Sequence, residues 1–530
     1  MSKTPTDEQA KAIECQGNTV ITARPGSGKT FTISQKIAVE SQTLLSYQGI
    51  IAISYTRKAS DELKTRCERL GTKRNSSFFG TIDSFCLHEI VSPFLSRYNG
   101  EKTVLEITDE DTHANKFTRS GVTDLAKKGL VTGAISIGLL CDAALEVIKN
   151  VAAARRYLKA RYVSVYIDEY QDCGAAQHEL VMLLGHMGLR VVAVGDLDQA
   201  IYGWAGKSSI YLQKLIQDAS FCHFQLTRNY RCHPSIVAYS LRLLGDRAAN
   251  IVDGDKRVIQ IELKGDEAAI AHMIALYVPR LQKKYGITDA REIAVIARSG
   301  ATLDRTSRAL QIPYRMYARS PLDKGFSKWK RLLGKLLEVY YSDSRYFADF
   351  MDAYFTSESN LRTRTQCITL VQRFLEQPEN ELQVNKDLAF QIAELCERGM
   401  GTIEDKTAYS DSVKDLDLLH ASYKQPRNNE ISLMTYHKSK GLEFDAVFCL
   451  EAYQWIMPPQ WDRDKNYNTY QESLAMHYVG ITRARKVCLL PLASGRHNKY
   501  ETYYDTVPSE FLQLNGVQNL RINAKPAELN

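Results

Sequence analysis

Residues 23–30 read Ala-Arg-Pro-Gly-Ser-Gly-Lys-Thr, and this octet decides the fold class. It closes an apolar, β-branched run, Thr19–Ala23, and opens a helical pattern. A strand that feeds a glycine-rich turn and then a helix is the geometry of a phosphate-cradling P-loop. Glycines let successive backbone N–H groups turn inward on a triphosphate, and the helix N-terminus adds the positive end of its dipole. Ala23 stands where the first glycine is usual, while Gly26, Gly28, Lys29 and Thr30 are in place; Arg24, Pro25 and Ser27 complete the loop. Lys29 is expected to neutralise the β- and γ-phosphates of ATP, and the Thr30 hydroxyl to hold Mg²⁺.

Three further continuous apolar runs, Ile50–Ser54, Val163–Ile167 and Arg190–Val194, predict buried parallel strands beside the first. Asp168-Glu-Tyr-Gln-Asp172 follows one of them, so its acids emerge at a strand's carboxyl end, where open α/β sheets bind ligands. Asp168 is placed to hold the magnesium, and Glu169 to orient and deprotonate an attacking water. A second strand-rich region (Arg257–Leu263, Ile293–Ala297, Ile431–Thr435, Ala446–Cys449, Val487–Leu490) repeats the pattern. The segments from Cys86 to about Lys159 and from about Gly325 to Asn428 read as helix and loop without strands. The expected fold class is therefore α/β, two P-loop lobes of parallel sheet flanked by helices, each with a helical insertion. The boundaries are 1–86 with 160–250 for the first lobe, 87–159 for its insertion, 251–324 with 429–530 for the second lobe, and 325–428 for the second insertion.

Composition narrows the class. A chain of 530 residues exceeds a single core. Its 44% hydrophobic and 24% charged content is ordinary for packed, water-facing domains. No run approaches a membrane span, and the first residues lead into polar sequence without a signal-peptide core. Eleven scattered cysteines, without a CxxC pair, read as reduced thiols in a cytoplasmic protein. A net charge of +7 suits a polyanionic partner. The basic run Lys149, Arg155, Arg156, Lys159 and Arg161 reads as a solvated helix face or as a track for phosphates. The run Lys324, Lys328, Lys330, Arg331 and Lys335 leaves DNA and protein partners open.

From residue 6 to about 485 the motifs fall in one order, and together they resemble the UvrD/Rep branch of superfamily 1 helicases. Gln9, in Thr6-Asp-Glu-Gln9, sits where that family reads adenine. Ser54-Tyr-Thr-Arg-Lys-Ala59 is similar to the segment that touches the DNA strand, which implies contacts from Tyr55 and Thr56. Val194-Gly-Asp-Leu-Asp-Gln-Ala-Ile-Tyr-Gly-Trp204 resembles the motif joining γ-phosphate sensing, by Gln199, to base stacking, by Tyr202 and Trp204. Asn229-Tyr-Arg231 resembles the motif whose tyrosine, Tyr230, stacks on adenine and whose arginine, Arg231, reaches the phosphates. Met434-Thr-Tyr-His-Lys-Ser-Lys-Gly-Leu-Glu-Phe444 and Tyr478-Val-Gly-Ile-Thr-Arg-Ala484 complete the series. They imply Glu443 as the ribose contact, Thr435 and His437 near the DNA strand, and Arg483 as an arginine finger from the second lobe. The resemblance implies RecA-like lobes, ATP with Mg²⁺, single-stranded or tailed DNA, and 3′→5′ movement.

Two departures carry information. Gly80-Thr-Ile-Asp83-Ser84 has a carboxylate where the family often has histidine. Beside a DNA path it would repel phosphate, so Asp83 is expected to cap a helix or to bond a base edge. Tyr55 stands where phenylalanine is usual, and still stacks. The second insertion is also short, and the tail after Pro508-Ser-Glu-Phe-Leu512 leaves no room for a fused nuclease. Gly80–Phe94 and Ser320-Pro-Leu-Asp-Lys324 are similar to the helicase subunit of the Gabija antiviral-defence system. That resemblance implies a partner of the OLD type, a nuclease with an ATPase and a TOPRIM domain, in a hetero-oligomer. The rival readings are a DNA-stimulated ATPase that senses without processive unwinding, and a stand-alone repair helicase.

Overall fold

The computed structural model describes the chain except for residues 1–3, 73–75, 104, 109–117, 204–206, 247–254, 318–319, 324–326, 343–346, 355–360, 398–400, 460–466, 499 and 525–530. Two compact units emerge. One comprises residues 1–106, 111–312 and 434–530, and the other residues 107–110 and 313–433. Among the described residues no helix is long and apolar enough to cross a membrane.

The first sheet of the larger unit is built from β1 (Asn18–Ala23), β2 (Gly49–Ile53), β3 (Phe78–Gly80), β6 (Tyr162–Ile167), β7 (Arg190–Gly195) and β8 (Phe221–Leu226). Their order is β3-β2-β6-β7-β1-β8, and every pairing is parallel. The four predicted strands occupy its centre, where both faces are covered and side chains such as Val20, Ile21, Ile50, Val165 and Val192 are fully buried. The two edge strands were not foreseen. β3 has three residues, and β8 leaves Cys222, His223 and Gln225 exposed, so neither carries an uninterrupted apolar signal. The segment expected to lack strands contains two short ones, β4 (Glu106–Thr108) and β5 (Ala134–Ser136), too brief to show a period. It is otherwise helical. Ile82–Phe85, a π-helical stretch Cys86–Val91 and Ser92–Asn99 follow one another without a break.

The second sheet of that unit joins β10 (Ile293–Ala297), β13 (Phe444–Cys449), β14 (Ala484–Ala493), β9 (Val258–Leu263) and β17 (Ile522–Ala524), again all parallel. Two RecA-like α/β lobes thus form the unit. An antiparallel pair, β15 (Gly495–His497) and β16 (Tyr503–Asp505), extends beyond β14. The smaller unit pairs β11 (Tyr314–Met316) with the first residues of β12 (Ile431–Thr435) and is otherwise helical. In its helix Lys328–Tyr340, Trp329, Leu332, Leu333, Leu336, Leu337 and Tyr340 are buried, an i, i+3, i+4, i+7 stripe facing the core.

Several members of the basic runs pair locally. Arg161 pairs with Glu89, Lys149 with Glu179, and Arg155 donates to the carbonyls of Ile148 and Lys149. In the smaller unit Lys328 pairs with Glu397, Lys330 with Glu404 and Lys335 with Glu338. Lys324 lies outside the described residues. All eleven cysteines are free thiols.

One buried base sets a pH dependence. His477, on helix Tyr467–Ile481, is fully buried, and neither ring nitrogen has a hydrogen-bond partner among the described residues. Burial pushes its pKa down to about 4, and Arg521 pushes in the same direction. The unfolded chain therefore takes up this proton first, at an ordinary value near 6.5. The stability tied to neutral His477 is full above that value and is lost as pH falls towards 4, about 3 kcal/mol in all. A His477→Gln variant is expected to lose less stability over the same range, measured as urea midpoints.

Candidate ATP and DNA site

The P-loop leaves β1 and enters helix Lys29–Ser41. Gly26 and Gly28 have φ of +72° and +89°, and a Cβ at either position would collide, with Arg231 Cβ at 2.5 Å or Gln9 Nε2 at 2.6 Å. Only glycine gives this backbone its inward-facing curl. Asn229 clamps the loop. Its Nδ2 donates to the Pro25 carbonyl at 2.7 Å, and its Oδ1 accepts from Arg231 N and Cys232 N, both at 2.8 Å. The Ser27 hydroxyl donates to the Arg24 carbonyl at 2.7 Å, and Arg24 pairs with Asp246 at 3.3 Å. Gln9 is buried, donates to the Ser27 carbonyl at 3.1 Å and accepts from Thr6 N at 3.1 Å, so a base reaching it must share or replace those bonds. Tyr230 is 46% exposed beside the loop, its N–H bonded to the Gly26 carbonyl at 2.8 Å and its ring 5.2 Å from the Arg228 guanidinium.

Lys29 Nζ lies 3.4 Å from the Ala23 carbonyl and 3.9 Å from Asp196 Oδ2, at the ends of β1 and β7. Asp168 and Glu169 follow β6. Glu169 has a left-handed φ of +55°, a conformation that costs a non-glycine residue of order 1 kcal/mol. Its carboxylate accepts from Gln171 Nε2 at 2.5 Å. Gln171 in turn accepts from Asp196 N at 2.9 Å, and Asp196 accepts from Gln199 Nε2 at 2.9 Å. Burial pushes Asp168 up to about 7, with the Glu169 charge adding to it. Burial acts on Glu169 in the same direction, but Lys29, Lys440, Gln171 and Arg483 together outweigh it and hold the carboxyl at about 2.

The second lobe completes the cluster. Arg483 is fully buried and donates to the Val479 carbonyl at 3.0 Å, the Leu442 carbonyl at 3.1 Å and Gln199 Oε1 at 3.4 Å. Among the described residues it has no carboxylate ion-pair partner. Burial, then Arg231, lowers its pKa to about 10, still charged at neutral pH. Arg231 Nε sits 2.5 Å from Glu443, whose other oxygen lies 3.7 Å from Arg485. Lys440, which sequence reasoning left unassigned, bridges the lobes. It lies 2.5 Å from Asp172 Oδ2, donates to the Gln199 carbonyl at 2.8 Å, and stands 5.1 Å over the Tyr202 ring.

At the expected DNA contacts the rings of Tyr55, Tyr202 and His437 form a tilted series with centroid spacings of 5.3 and 5.6 Å. Trp204 lies outside the described residues. Thr56 and Thr435 cap helices through their hydroxyls, accepting from Ala59 N at 3.2 Å and Lys438 N at 3.4 Å. Asp83 caps nothing, because Thr81 Oγ1 accepts from Ser84 N and takes that role. Asp83 lines a cavity of about 180 Å³ together with Tyr55, Asp168, Glu169, Asp172 and Lys207. The donor set also fits a nucleotide with a hard cation. Thr30 and Asp168 offer oxygen ligands of the kind Mg²⁺ prefers, and Lys29, Arg231 and Arg483 supply positive charge.

Two domain families match this arrangement, the AAA domain over residues 8–205 and the UvrD-like helicase C-terminal domain over residues 330–494. The chain carries a UvrD-like helicase C-terminal domain behind an AAA domain. Domains of this kind imply ATP-dependent DNA helicase activity. The helicase is 24% identical to the Gabija protein GajB of Bacillus cereus, over 96% of this chain and 99% of that relative. It is 25% identical to a probable DNA helicase II homolog of Mycoplasma pneumoniae, over 91% of this chain and 83% of the other. The ATP-dependent DNA helicase PcrA of Staphylococcus aureus is 23% identical over 96% of this chain and 85% of its own length.

Proposed function

We propose that this helicase is an ATP- and Mg²⁺-dependent translocase on single-stranded DNA. We further propose that it moves 3′→5′ and serves in the cytoplasm as the helicase subunit of an antiviral complex with an OLD-type nuclease. The observation that carries the coupled reading is Lys440, whose one ammonium meets Asp172 and the Gln199 carbonyl on the nucleotide side and the Tyr202 ring on the DNA side. A change at the phosphates that moves Gln199 or Asp172 therefore moves the ring that holds a base. The antiviral reading is supported by the near-complete mutual coverage with the Gabija relative, 96% of this chain and 99% of that one.

In this reading the four expected subdomains are two motor lobes and two insertions, bounded as the sequence suggests. Bound ATP with Mg²⁺ supplies the phosphoryl group to be transferred. Gln9 and Tyr230 hold the adenine, Glu443 the ribose, and the 23–30 loop the phosphates. Thr30 and Asp168 hold the metal. Glu169 accepts the proton of the attacking water, while Gln199 senses the γ-phosphate, and Arg231 and Arg483 offset charge on it. Tyr55, Thr56, Asp83, Tyr202, Thr435 and His437 face the strand, and the motif gives Trp204 a stacking role beside them. A base that enters between Tyr55 and Tyr202 must open their 5.3 Å spacing to roughly twice a 3.4 Å stacking distance. Truncating Tyr202 to alanine is expected to weaken single-stranded DNA binding by about 1–3 kcal/mol. Fluorescence anisotropy measures it, and an unchanged affinity would remove Tyr202 from the DNA path.

The test is ATP hydrolysis by the purified protein with and without single-stranded DNA, alone and with an OLD-type nuclease added. Strong stimulation by DNA is expected. Absence of hydrolysis under every DNA condition, even with the nuclease, would sink the motor. Unwinding of 3′-tailed against 5′-tailed duplexes then fixes polarity. Stimulated hydrolysis without unwinding of either duplex would favour the sensor. Co-elution with the nuclease on size exclusion tests the complex.

A further inference from the structure

Lys207 stands in this site without a part in the reading above. Its backbone is tied to both halves of the coupling apparatus. Lys207 N donates to the Tyr202 carbonyl at 3.4 Å, Gly174 and Lys207 form an antiparallel bridge, and Ser208 N donates to the Cys173 carbonyl at 3.2 Å. Its ammonium lies 4.0 Å over the centroid of the Tyr55 ring, a cation–π contact. It lines the same cavity as Asp83 and Asp172. Asp172 is 1% exposed. Its Oδ2 holds Lys440, while its Oδ1 is buried and has no hydrogen-bond partner among the described residues. A buried carboxylate oxygen left unmatched is costly, and the cation lining this cavity is Lys207.

We infer that Lys207 is a positioning residue for DNA-stimulated hydrolysis, seated on the Tyr55 ring before DNA arrives and received by the open oxygen of Asp172 when a base takes the ring. Asp172 then balances Lys207 on one oxygen and Lys440 on the other. Occupancy of the DNA platform thereby reaches the segment that carries Asp168 and Glu169. The neighbouring charges agree with this. Burial pulls the ammonium of Lys207 below its ordinary range, and the Asp83 and Asp172 carboxylates pull it back. Burial pushes the Asp83 carboxyl up, and Lys207 offsets it. Asp83 and Lys207 thus line one cavity with opposite charges.

The inference rests on the motor reading, and its test separates the two. Hydrolysis is measured against the concentration of a thymidine oligonucleotide for wild type, Lys207→Met and Lys207→Arg, with melting temperatures. Methionine keeps the length and the apolar stem but not the charge. The expected result for Lys207→Met is an approximately tenfold lower maximal stimulated rate. The half-stimulating DNA concentration, basal rate and melting temperature should change little, and arginine should restore most of the stimulation. An unchanged stimulated rate would overturn the inference. A rise in half-stimulating concentration alone would overturn it too, making Lys207 a simple phosphate contact. Equal losses of basal and stimulated rate would make it merely structural. If wild type itself shows no stimulation, the motor reading falls and takes the inference with it.

Discussion

Replacing Arg483 with alanine is expected to lower DNA-stimulated ATP hydrolysis by roughly 10³- to 10⁵-fold, the range for removal of an arginine finger. The argument begins from an imbalance. Arg483 is a fully buried guanidinium whose hydrogen bonds go to two carbonyls, the Thr482 hydroxyl and the Gln199 side chain, and among the described residues it has no carboxylate ion-pair partner. A cation held out of water this way is expensive unless an anion completes it, and a nucleotide's phosphates are the anion this site is built to take. The side chain comes from the second lobe and its contact Gln199 from the first, so the pair reports whether the lobes are closed. Alanine also strips four acceptors of their donor, so melting temperature and binding of a fluorescent nucleotide must be followed beside turnover. Arg483→Lys keeps the charge and loses the fork, and is expected to recover binding more than rate. A folded Arg483→Ala protein that hydrolyses within tenfold of wild type would exclude the finger role.

What could be read from the residues divides by range. The P-loop is local: its strand, turn and helix are contiguous, and two positive-φ glycines explain its composition. The central strands announce themselves because burial on both faces demands unbroken apolar runs. The edge strands do not, since β8 exposes Cys222, His223 and Gln225, and the three-residue strands are shorter than any period. Of the two roles expected for Asp83, a helix cap or a bond to a base edge, the cap is taken by Thr81, two residues earlier. Lys440 and Lys207 were invisible for another reason. Lys440 meets Asp172 across 268 residues, and a lone lysine in a loop carries no sign of the ring or carboxylate it will find. The signal available for Lys440 was its place between His437 and Glu443, within a stretch already singled out.

Replacing Glu169 with glutamine is expected to lower turnover by about 10²- to 10⁴-fold, the share a positioned general base supplies, while leaving ATP binding intact. Its carboxyl is held near 2 despite burial because Lys29, Lys440, Gln171 and Arg483 all favour the charged form, so Glu169 is ionised and ready to take a proton at neutral pH. Glutamine keeps the shape but cannot accept that proton. It also removes one negative charge from a cluster that includes Asp168, Asp172 and Asp196, so nucleotide affinity should hold or rise. Lys29→Ala predicts the opposite split. It takes the cation away from buried Asp196, whose carboxyl already stands at about 6 chiefly through burial, and from the phosphates, so binding and turnover should fall together. Equilibrium binding of a fluorescent ATP analogue, set beside single-turnover hydrolysis, distinguishes the two variants. If Glu169→Gln turned over within tenfold of wild type, the base would have to be sought elsewhere. If Lys29→Ala bound nucleotide normally, the P-loop lysine would not be holding the phosphates. The left-handed backbone at Glu169 makes the first outcome the sharper test, because that strain is retained in the glutamine variant and only the proton acceptor is lost.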